Sequence, residues 1–302
     1  MRLAMSILAR DEADIIEANI RHHAQLGVSK FVVTDNSSVD GTREILEHLT
    51  KEFDLTIIDE PSLTIDQDLW VTRMANLLRG SDIADWVINN DADEFWLAGN
   101  DGKLTDAIQM VLENATHKAD KIGVLYCERY NLIPSQELVQ GHAYQFSDNN
   151  YRVMQNWLNA KSALNLKDDS TALLDQNQHV IIRTLPGKVI TRLNGLESID
   201  MGNHGAIHKL NRVNTSDIEV AHYPIRDYEQ FKRKVVNYGS SLKNNSRFGA
   251  RISLHLRRWF ESYERGELEA DYRAIVPPQK ILAQLEHQRI LQSSTTASRL
   301  RL

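Results

Sequence analysis

DWVINNDADEFW, residues 85–96, places three acidic side chains directly after a run of apolar residues that favour β-structure. Residues 86–88 are typical of the end of a buried strand, and Asp91, Asp93 and Glu94 follow where such a strand leaves its sheet. Carboxylates this close together repel one another unless a cation or bound protons neutralise them. The stretch therefore predicts a buried strand that delivers a charged site to one edge of a sheet.

The first hundred residues alternate between strand-like and helical segments. The strand-like segments are 2–9, 30–35, 55–59 and 84–89, and the helical ones are 11–27, 38–53 and 66–80. Strands that alternate with helices form βαβ units and a mainly parallel sheet. Because ligands of such sheets bind beyond the carboxyl ends of the strands, residues 9–11, 35–38 and 91–94 are expected on one rim.

The pattern is less regular after residue 103. A helix over 103–116 and a strand over 121–130 are expected, whereas residues 131–177 read as an irregular, substrate-covering region. QHVIIRTL (178–185) and KVITRL (188–193) are strand-like, and helices dominate from Tyr228 onward. The prediction is an α/β fold with helices flanking a Rossmann-like sheet and a C-terminal helical extension.

Composition excludes several classes of protein. The 302 residues are 42% hydrophobic and 25% charged, which is typical of a globular domain. A net charge of -6 argues against nucleic-acid binding, which needs a basic face. One cysteine excludes an intrachain disulfide and favours a reducing, cytoplasmic location, with the inner membrane face as an alternative. No segment has the roughly 20 apolar residues of a membrane span, and the N-terminal apolar run is too short for a signal peptide.

The spacing of Asp91 and Asp93 suits a hard divalent cation. One small residue separates the two, so a turn can aim both carboxylates at one point. Mn²⁺ and Mg²⁺ prefer oxygen ligands and often bridge substrate phosphates. On this spacing alone, a solvated acidic turn or a helix cap explains the residues equally well.

Several spaced motifs resemble one enzyme family. They are LARDEADIIEANIRHHAQLGVSKFVVTDNSSVDGT (8–42), WVTRMAN (70–76), DWVINNDADEF (85–95), GNHG (202–205) and AHYPIRDYEQFKRKV (221–235). Together they resemble the family 2 type of glycosyltransferases with a GT-A fold, in the subgroup with a D-x-D-E-F metal motif. The resemblance implies a catalytic domain over 1–239, with a nucleotide-binding half of about 1–100 and an acceptor half of about 101–239. Residues 240–302 then form a helical extension with a frayed tail.

The resemblance implies a nucleotide-diphosphate sugar donor, with a UDP-sugar favoured, Mn²⁺ or Mg²⁺ as cofactor, and a glycan or other hydroxyl compound as acceptor. It places nucleobase, ribose and phosphate contacts at the ends of the first strands and around the acidic motif. The implied donor-binding residues are Ala9, Arg10, Glu12, Asp35, Asn36, Ser37, Arg73, Asp91, Ala92 and Asp93. Lys188 is a further candidate because an ammonium group would neutralise diphosphate.

The resemblance also implies a histidine as third metal ligand beside Asp91 and Asp93. His204, between glycines in GNHG, and His222, at the end of an apolar strand, compete for this role, with His204 preferred. His22 and His23, on the first helix, are interpreted as structural.

An inverting transferase needs a carboxylate base to deprotonate the acceptor hydroxyl. Asp168, Asp169 and Glu128 are the candidates, and no spacing separates them.

Two other functions stay open on the sequence. One is a non-catalytic protein that binds a nucleotide sugar on the same fold, and the other is a phosphotransferase with an aspartyl nucleophile. The basic segment 247–260 is a candidate for peripheral contact with a membrane through Arg247, Arg251, Arg257, Arg258, Trp259 and Phe260. The alternative is that this helix packs its apolar face on the domain.

Overall fold

A computed structural model describes residues 1–62, 66–80, 83–99, 101–141, 143–154, 176–244 and 253–302. The chain forms two compact units. The first comprises residues 1–129, 186–221 and 299–302, and the second comprises 130–185 and 222–298. The chain thus leaves the first unit after Arg129 and returns to it at Pro186, and the predicted boundary at 239 falls inside a helix of the second unit.

The first unit begins with the predicted alternation of strands and helices, which confirms the α/β class. Its strands are β1 (Leu3–Ala9), β2 (Val28–Asp35), β3 (Leu55–Asp59) and β4 (Trp86–Asp91). Its helices are α1 (Ile16–Gln25), α2 (Thr42–Leu49), α3 (Gln67–Gly80) and, further along, α4 (Leu104–Asn114). The four strands are parallel in the order β3-β2-β1-β4.

Strand register places the expected rim at one edge of this sheet. Ala9 pairs with Asp35, and Leu8 pairs with Asp91 on the other side of β1. The carboxyl ends of three strands therefore meet side by side, as parallel βαβ units require.

Later strands extend the sheet beyond β4. They are β5 (Glu94–Ala98), β6 (Ile122–Pro134), β8 (Lys188–Arg192) and β11 (Asn211–His222), of which β11 pairs with β5 and β6. Strands β9 (Leu196–Ile199) and β10 (Ala206–His208) pair with each other in a separate two-stranded antiparallel sheet. Strand β8 runs antiparallel to β4 and to β6, so the sheet is mixed, with a parallel half made by the first four strands. Residues 122–129 of β6 belong to the first unit.

The core explains why β1 and β4 are apolar along their length. Residues 3–5 of β1 and 86–88 of β4 are almost fully buried. Helix α3 covers these strands with one apolar face, on which Val71, Met74 and Leu78 pack. Strands buried on both faces lose the alternation of polar and apolar residues, which is why the sequence shows continuous apolar runs.

The second unit is mainly helical. Its principal helices are Tyr228–Asn244, Leu254–Glu264, Leu268–Arg273 and Gln279–His287. Its short helices are Gln136–Val139, Gln176–Ile181 and Thr296–Arg299. Its strands are β7 (Asn149–Val153) and β12 (Leu291–Ser293). The core centres on Phe231. The centroid of its ring lies 4.9 Å from that of Trp259 and 5.4 Å from that of Tyr272.

Three expectations differ from this arrangement. The strand predicted over 178–185 is wrong, because the chain is helical over Gln176–Ile181; short apolar runs suit either structure until tertiary packing decides. Trp259 is buried and donates its indole N–H to Asn177 Oδ1 at 2.7 Å, so it packs on the domain instead of offering a membrane contact. The expected frayed tail is bonded: Arg299 and Arg301 both pair with groups of the first unit.

Phe260 also packs against the core of the second unit, while Arg247 and Arg251 lie outside the described residues. In the ranges that the structure covers, no helix combines the length and apolar character needed to cross a bilayer.

Candidate active site

The acidic stretch forms a tight connection between two buried strands. Strand β4 ends at Asp91, Ala92 and Asp93 make the turn, and β5 begins at Glu94. The side chain of Asp91 is 29% exposed, whereas Asp93 and Glu94 are buried. Of the three carboxylates, Asp91 is thus the most exposed.

A buried polar network beneath the turn fixes its backbone. The Asn19 amide, on α1, donates to the carbonyl oxygens of Ala92 at 2.9 Å and Glu94 at 2.8 Å. Asn90 donates to Asn19 Oδ1 and to Glu94 O, and it accepts from the Trp96 indole. Since each buried amide has a partner, the network holds the turn in one conformation.

Two cations pair with Asp91 and Glu94, two of the three carboxylates of this turn. Lys188, the first residue of β8, is fully buried, and its Nζ lies 2.7 Å from Asp91 Oδ2 and 2.9 Å from Glu94 Oε2. Arg129, on β6, donates to Glu94 Oε1 at 2.5 Å. Two of the three crowded anions are therefore paired with protein cations, and Arg129 was not foreseen as part of the site.

Two amides also hold Asp91 in place. Gln67, at the start of α3, donates from Nε2 to Asp91 Oδ1 at 3.0 Å, and Asn203 Nδ2 lies 3.5 Å from the same oxygen. Gln67 Oε1 accepts in turn from the backbone N–H of Gly202. These contacts bring the GNHG segment to the acidic turn. No motif in the sequence indicates that Gln67 belongs to this site.

His204 follows Asn203 and lies close enough to Lys188 and Glu94 to interact with their charges. Its Nδ1 is 3.0 Å from the carbonyl oxygen of Gly187, which can only accept, so Nδ1 carries the proton and Nε2 keeps its lone pair. Burial, with help from Lys188, lowers the pKa of His204 and keeps the ring neutral. A Cβ on Gly202 would lie 2.7 Å from His204 Nε2, so this glycine makes room for the ring.

The predicted donor residues at the ends of β1 and β2 bond mainly to neighbouring loops. Asp35 is buried and accepts from the Ser38 N–H at 3.1 Å. The Asn36 amide donates to Glu60 O at 2.9 Å, and Ser37 Oγ lies 3.3 Å from the same carbonyl. The loops after β1, β2 and β3 are thereby tied into one surface.

The remaining predicted donor residues border this surface. Ala9 is buried and its carbonyl accepts from Asn36, while the Glu12 N–H donates to Thr42 Oγ1 at 2.8 Å. Arg10 is half-buried, and its Nε has no hydrogen-bond partner within the described ranges. Ala9 is the last residue of β1, and Arg10 and Glu12 follow it, at the position where the resemblance implies the nucleobase.

Arg73 lines a cleft of about 560 Å³ beside α3. Its guanidinium is 3.1 Å from Glu60 Oε2 and remains 45% exposed. The cleft is lined by Asp68, Leu69, Thr72, Arg73, Asn76, Ser198, Ile199, Asp200 and Met201.

The structure does not gather every predicted site residue. His222 belongs to the second unit, where its Nδ1 lies 2.7 Å from Asn131 Oδ1. Asp168 and Asp169 lie outside the described residues, and Glu128 is an exposed residue of β6. Among the residues described, no group of three or more His, Cys, Asp or Glu side chains is arranged to hold a metal ion.

Comparison with solved structures finds distant similarity. TarS of S. aureus, residues 1–349 in complex with UDP-GlcNAc, is 13% identical over 99% of this chain and 90% of the TarS chain, with a TM-score of 0.43. Glucosyl-3-phosphoglycerate synthase of Mycobacterium tuberculosis, in complex with Mn²⁺, UDP and glucosyl-3-phosphoglycerate, is 16% identical over 81% of each chain, with a TM-score of 0.37. None of the curated proteins compared with the chain matches it.

A family model decides the assignment. The model of glycosyltransferase family 92 matches residues 4–266, which include both the rim of the parallel strands and the segment around His204. The family that matches is thus not the family 2 type that the motifs resemble, although the predicted class of enzyme is confirmed. Because the match spans most of the sequence, the chain belongs to glycosyltransferase family 92.

Proposed function

We propose that this glycosyltransferase binds a nucleotide-diphosphate sugar, preferably a UDP-sugar, along the rim formed by β1, β2 and β4, and passes the sugar to a hydroxyl group of a glycan-like acceptor. One observation carries the proposal. The strand register brings Ala9, Asp35 and Asp91 to the same edge of a parallel sheet, which is where such folds bind nucleotides. The proposal includes the GT-A type of fold and an inverting reaction.

The rim offers groups of the chemistry that a nucleotide needs. Asp35 uses one carboxylate oxygen for Ser38, which leaves acceptor capacity for the N–H of a base or a ribose hydroxyl. Arg10 Nε, which has no hydrogen-bond partner among the described residues, is a donor available to the nucleobase. The exposed guanidinium of Arg73 is a cation suited to diphosphate oxygens.

The donor atoms around Asp91 suit a divalent cation. Asp91 Oδ1 accepts from Gln67 and Asn203, while Oδ2 accepts from Lys188 and can bind a further partner. The neutral imidazole of His204 presents Nε2 as a second ligand atom. Asp93 is the second carboxylate of the proposed site. When bound, Mn²⁺ or Mg²⁺ would stabilise the negative charge of the leaving diphosphate.

The chain must also supply a base for an inverting reaction. The acceptor hydroxyl attacks the anomeric carbon, the bond from that carbon to the diphosphate breaks, and a carboxylate removes the hydroxyl proton. Asp168, Asp169 and Glu128 remain the proposed candidates. The exposed position of Glu128 leaves its carboxylate accessible to an acceptor.

Calorimetric titration of UDP and GDP, with and without Mn²⁺, tests the proposal. We expect UDP to bind at least about tenfold more tightly with Mn²⁺, and Asp93→Asn to abolish both this gain and sugar transfer while the fold persists. Asp120→Asn, a change at an exposed carboxylate of the same unit, should leave both unchanged. Unaltered turnover in Asp93→Asn would refute the metal role, and binding without transfer from any donor would favour a non-catalytic sugar-nucleotide-binding protein.

A further inference from the structure

Lys188 bridges two carboxylates of the acidic turn. Its ammonium lies 2.7 Å from Asp91 and 2.9 Å from Glu94 in a fully buried position. We propose that Lys188 is the resident counter-ion of this turn and that it opposes divalent-cation binding until a nucleotide diphosphate is present. The inference rests on the proposed function and deepens it by naming the residue that couples metal binding to donor binding.

Burial explains why the ammonium must be paired. A charged group removed from water is costly unless opposite charges and hydrogen bonds compensate it. Two carboxylates do so for Lys188, and Arg129 adds a second positive charge on Glu94 Oε1. Asp91, Glu94, Lys188 and Arg129 together carry two negative and two positive charges, and Asp93 is the third negative charge of the turn.

The paired ammonium of Lys188 lowers the attraction that Asp91 offers to a second cation. An ion bound to Asp91 would lie within a few ångströms of the Lys188 ammonium, because both use the same carboxylate. A nucleotide diphosphate brings additional negative charge to the ion, which offsets this repulsion. Metal and nucleotide should therefore bind with positive coupling, and each should raise the affinity of the protein for the other.

Titration of Mn²⁺ into the nucleotide-free protein tests this inference, with the electron paramagnetic resonance signal of free Mn²⁺ as the readout. Lys188→Met should bind Mn²⁺ at least about tenfold more tightly than the wild type, because the carboxylate of Asp91 loses its paired cation. The further gain produced by UDP should shrink in this variant. Lys51→Met, which removes an exposed lysine of the same unit, should match the wild type in both respects.

A paired variant guards against loss of the fold. Lys188→Met leaves Glu94 paired with Arg129. The double variant Lys188→Met with Glu94→Gln removes one charge of each sign, and it takes away the ammonium beside Asp91 just as the single variant does. Circular dichroism and thermal unfolding identify which variant is folded, and Mn²⁺ alone should raise the melting temperature of a folded variant more than that of the wild type.

Unchanged or weaker Mn²⁺ binding in the folded variants overturns the inference. Failure of the proposed function gives a different result, namely a wild type that binds no Mn²⁺ even with UDP. In that case, tight Mn²⁺ binding by Lys188→Met would still support the role of Lys188.

Discussion

The hydrogen bond from His204 Nδ1 to Gly187 O determines which atom of this histidine can bind a ligand. A backbone carbonyl fixes the tautomer, and burial keeps the ring neutral, as in metal sites where a carbonyl orients the ligating imidazole. We therefore expect His204→Ala to weaken Mn²⁺ binding in the presence of UDP by about 10- to 100-fold. His222→Ala should have little effect, because the described residues that contact Asp91 include Asn203, the neighbour of His204, and do not include His222.

Manganese titration of the two variants at saturating UDP measures this difference. Equal affinity in His204→Ala and in the wild type would remove the histidine from the proposed metal site. A selective loss in His222→Ala would transfer the role to that residue.

The alternation of side chains along β6 could have identified Arg129 as a residue of the site. In β6 the side chains alternate, so that Leu125, Cys127 and Arg129 share one side and exposed Glu128 faces the other. A charged residue in register with buried apolar ones requires a partner of opposite charge, and that reasoning could have pointed to Arg129. It could not have identified Glu94, because residues 94 and 129 meet only through long-range packing.

At the scale of elements, α1 supports the acidic turn from below. Asn19 donates to Ala92 O and Glu94 O, so Asn19→Ala leaves the Ala92 carbonyl without its amide partner and also removes an acceptor from Asn90. We expect a loss of about 3 kcal/mol in the free energy of unfolding, since each buried polar group left unpaired costs 1–3 kcal/mol, roughly. A shift of the turn should also reduce transfer by about 100-fold.

Urea denaturation and initial rates of transfer measure the two effects of this variant. Asn114→Ala, at the exposed end of α4, is the matched control and should change the unfolding free energy by no more than about 0.5 kcal/mol. A stable Asn19→Ala variant with full activity would show that the turn keeps its conformation without the network.

The elements near the N-terminus were predictable because their pattern is local. Each strand and helix up to β4 carries its own period, and the parallel order follows from βαβ connections. Strand β8 joins β4 from a hundred residues further along, and nothing near residue 188 specifies that pairing. The run VII in 180–182 suits either a strand or a helix, and the core of the second unit, into which Ile181 and Ile182 are buried, decides for the helix.

At the scale of the whole molecule, buried histidines couple the stability of the first unit to pH. Burial lowers the pKa of His22 to about 4 and that of His23 well below its usual value, and nearby Arg301 adds to the effect on His22. His22 accepts a hydrogen bond from the Arg301 N–H at Nδ1 and uses Nε2 toward Trp96 O. Protonation of Nδ1 would turn that acceptor into a donor and break the contact.

These lowered pKa values predict a loss of stability on mild acidification. Between pH 6.5 and about 4 the unfolded chain binds a proton at His22 that the folded chain does not, so the free energy of unfolding falls as the pH falls through this window. The loss due to His22 amounts to about 3 kcal/mol at its lower end, and His23 adds to it. His22→Gln should reduce the slope of the unfolding free energy against pH by the contribution of about one proton. His117→Gln, a change at an exposed histidine, should leave this slope unchanged. Chemical denaturation at half-unit steps from pH 7 to pH 4 measures the slope, and a wild-type stability independent of pH across this window would contradict the buried, neutral state of both rings.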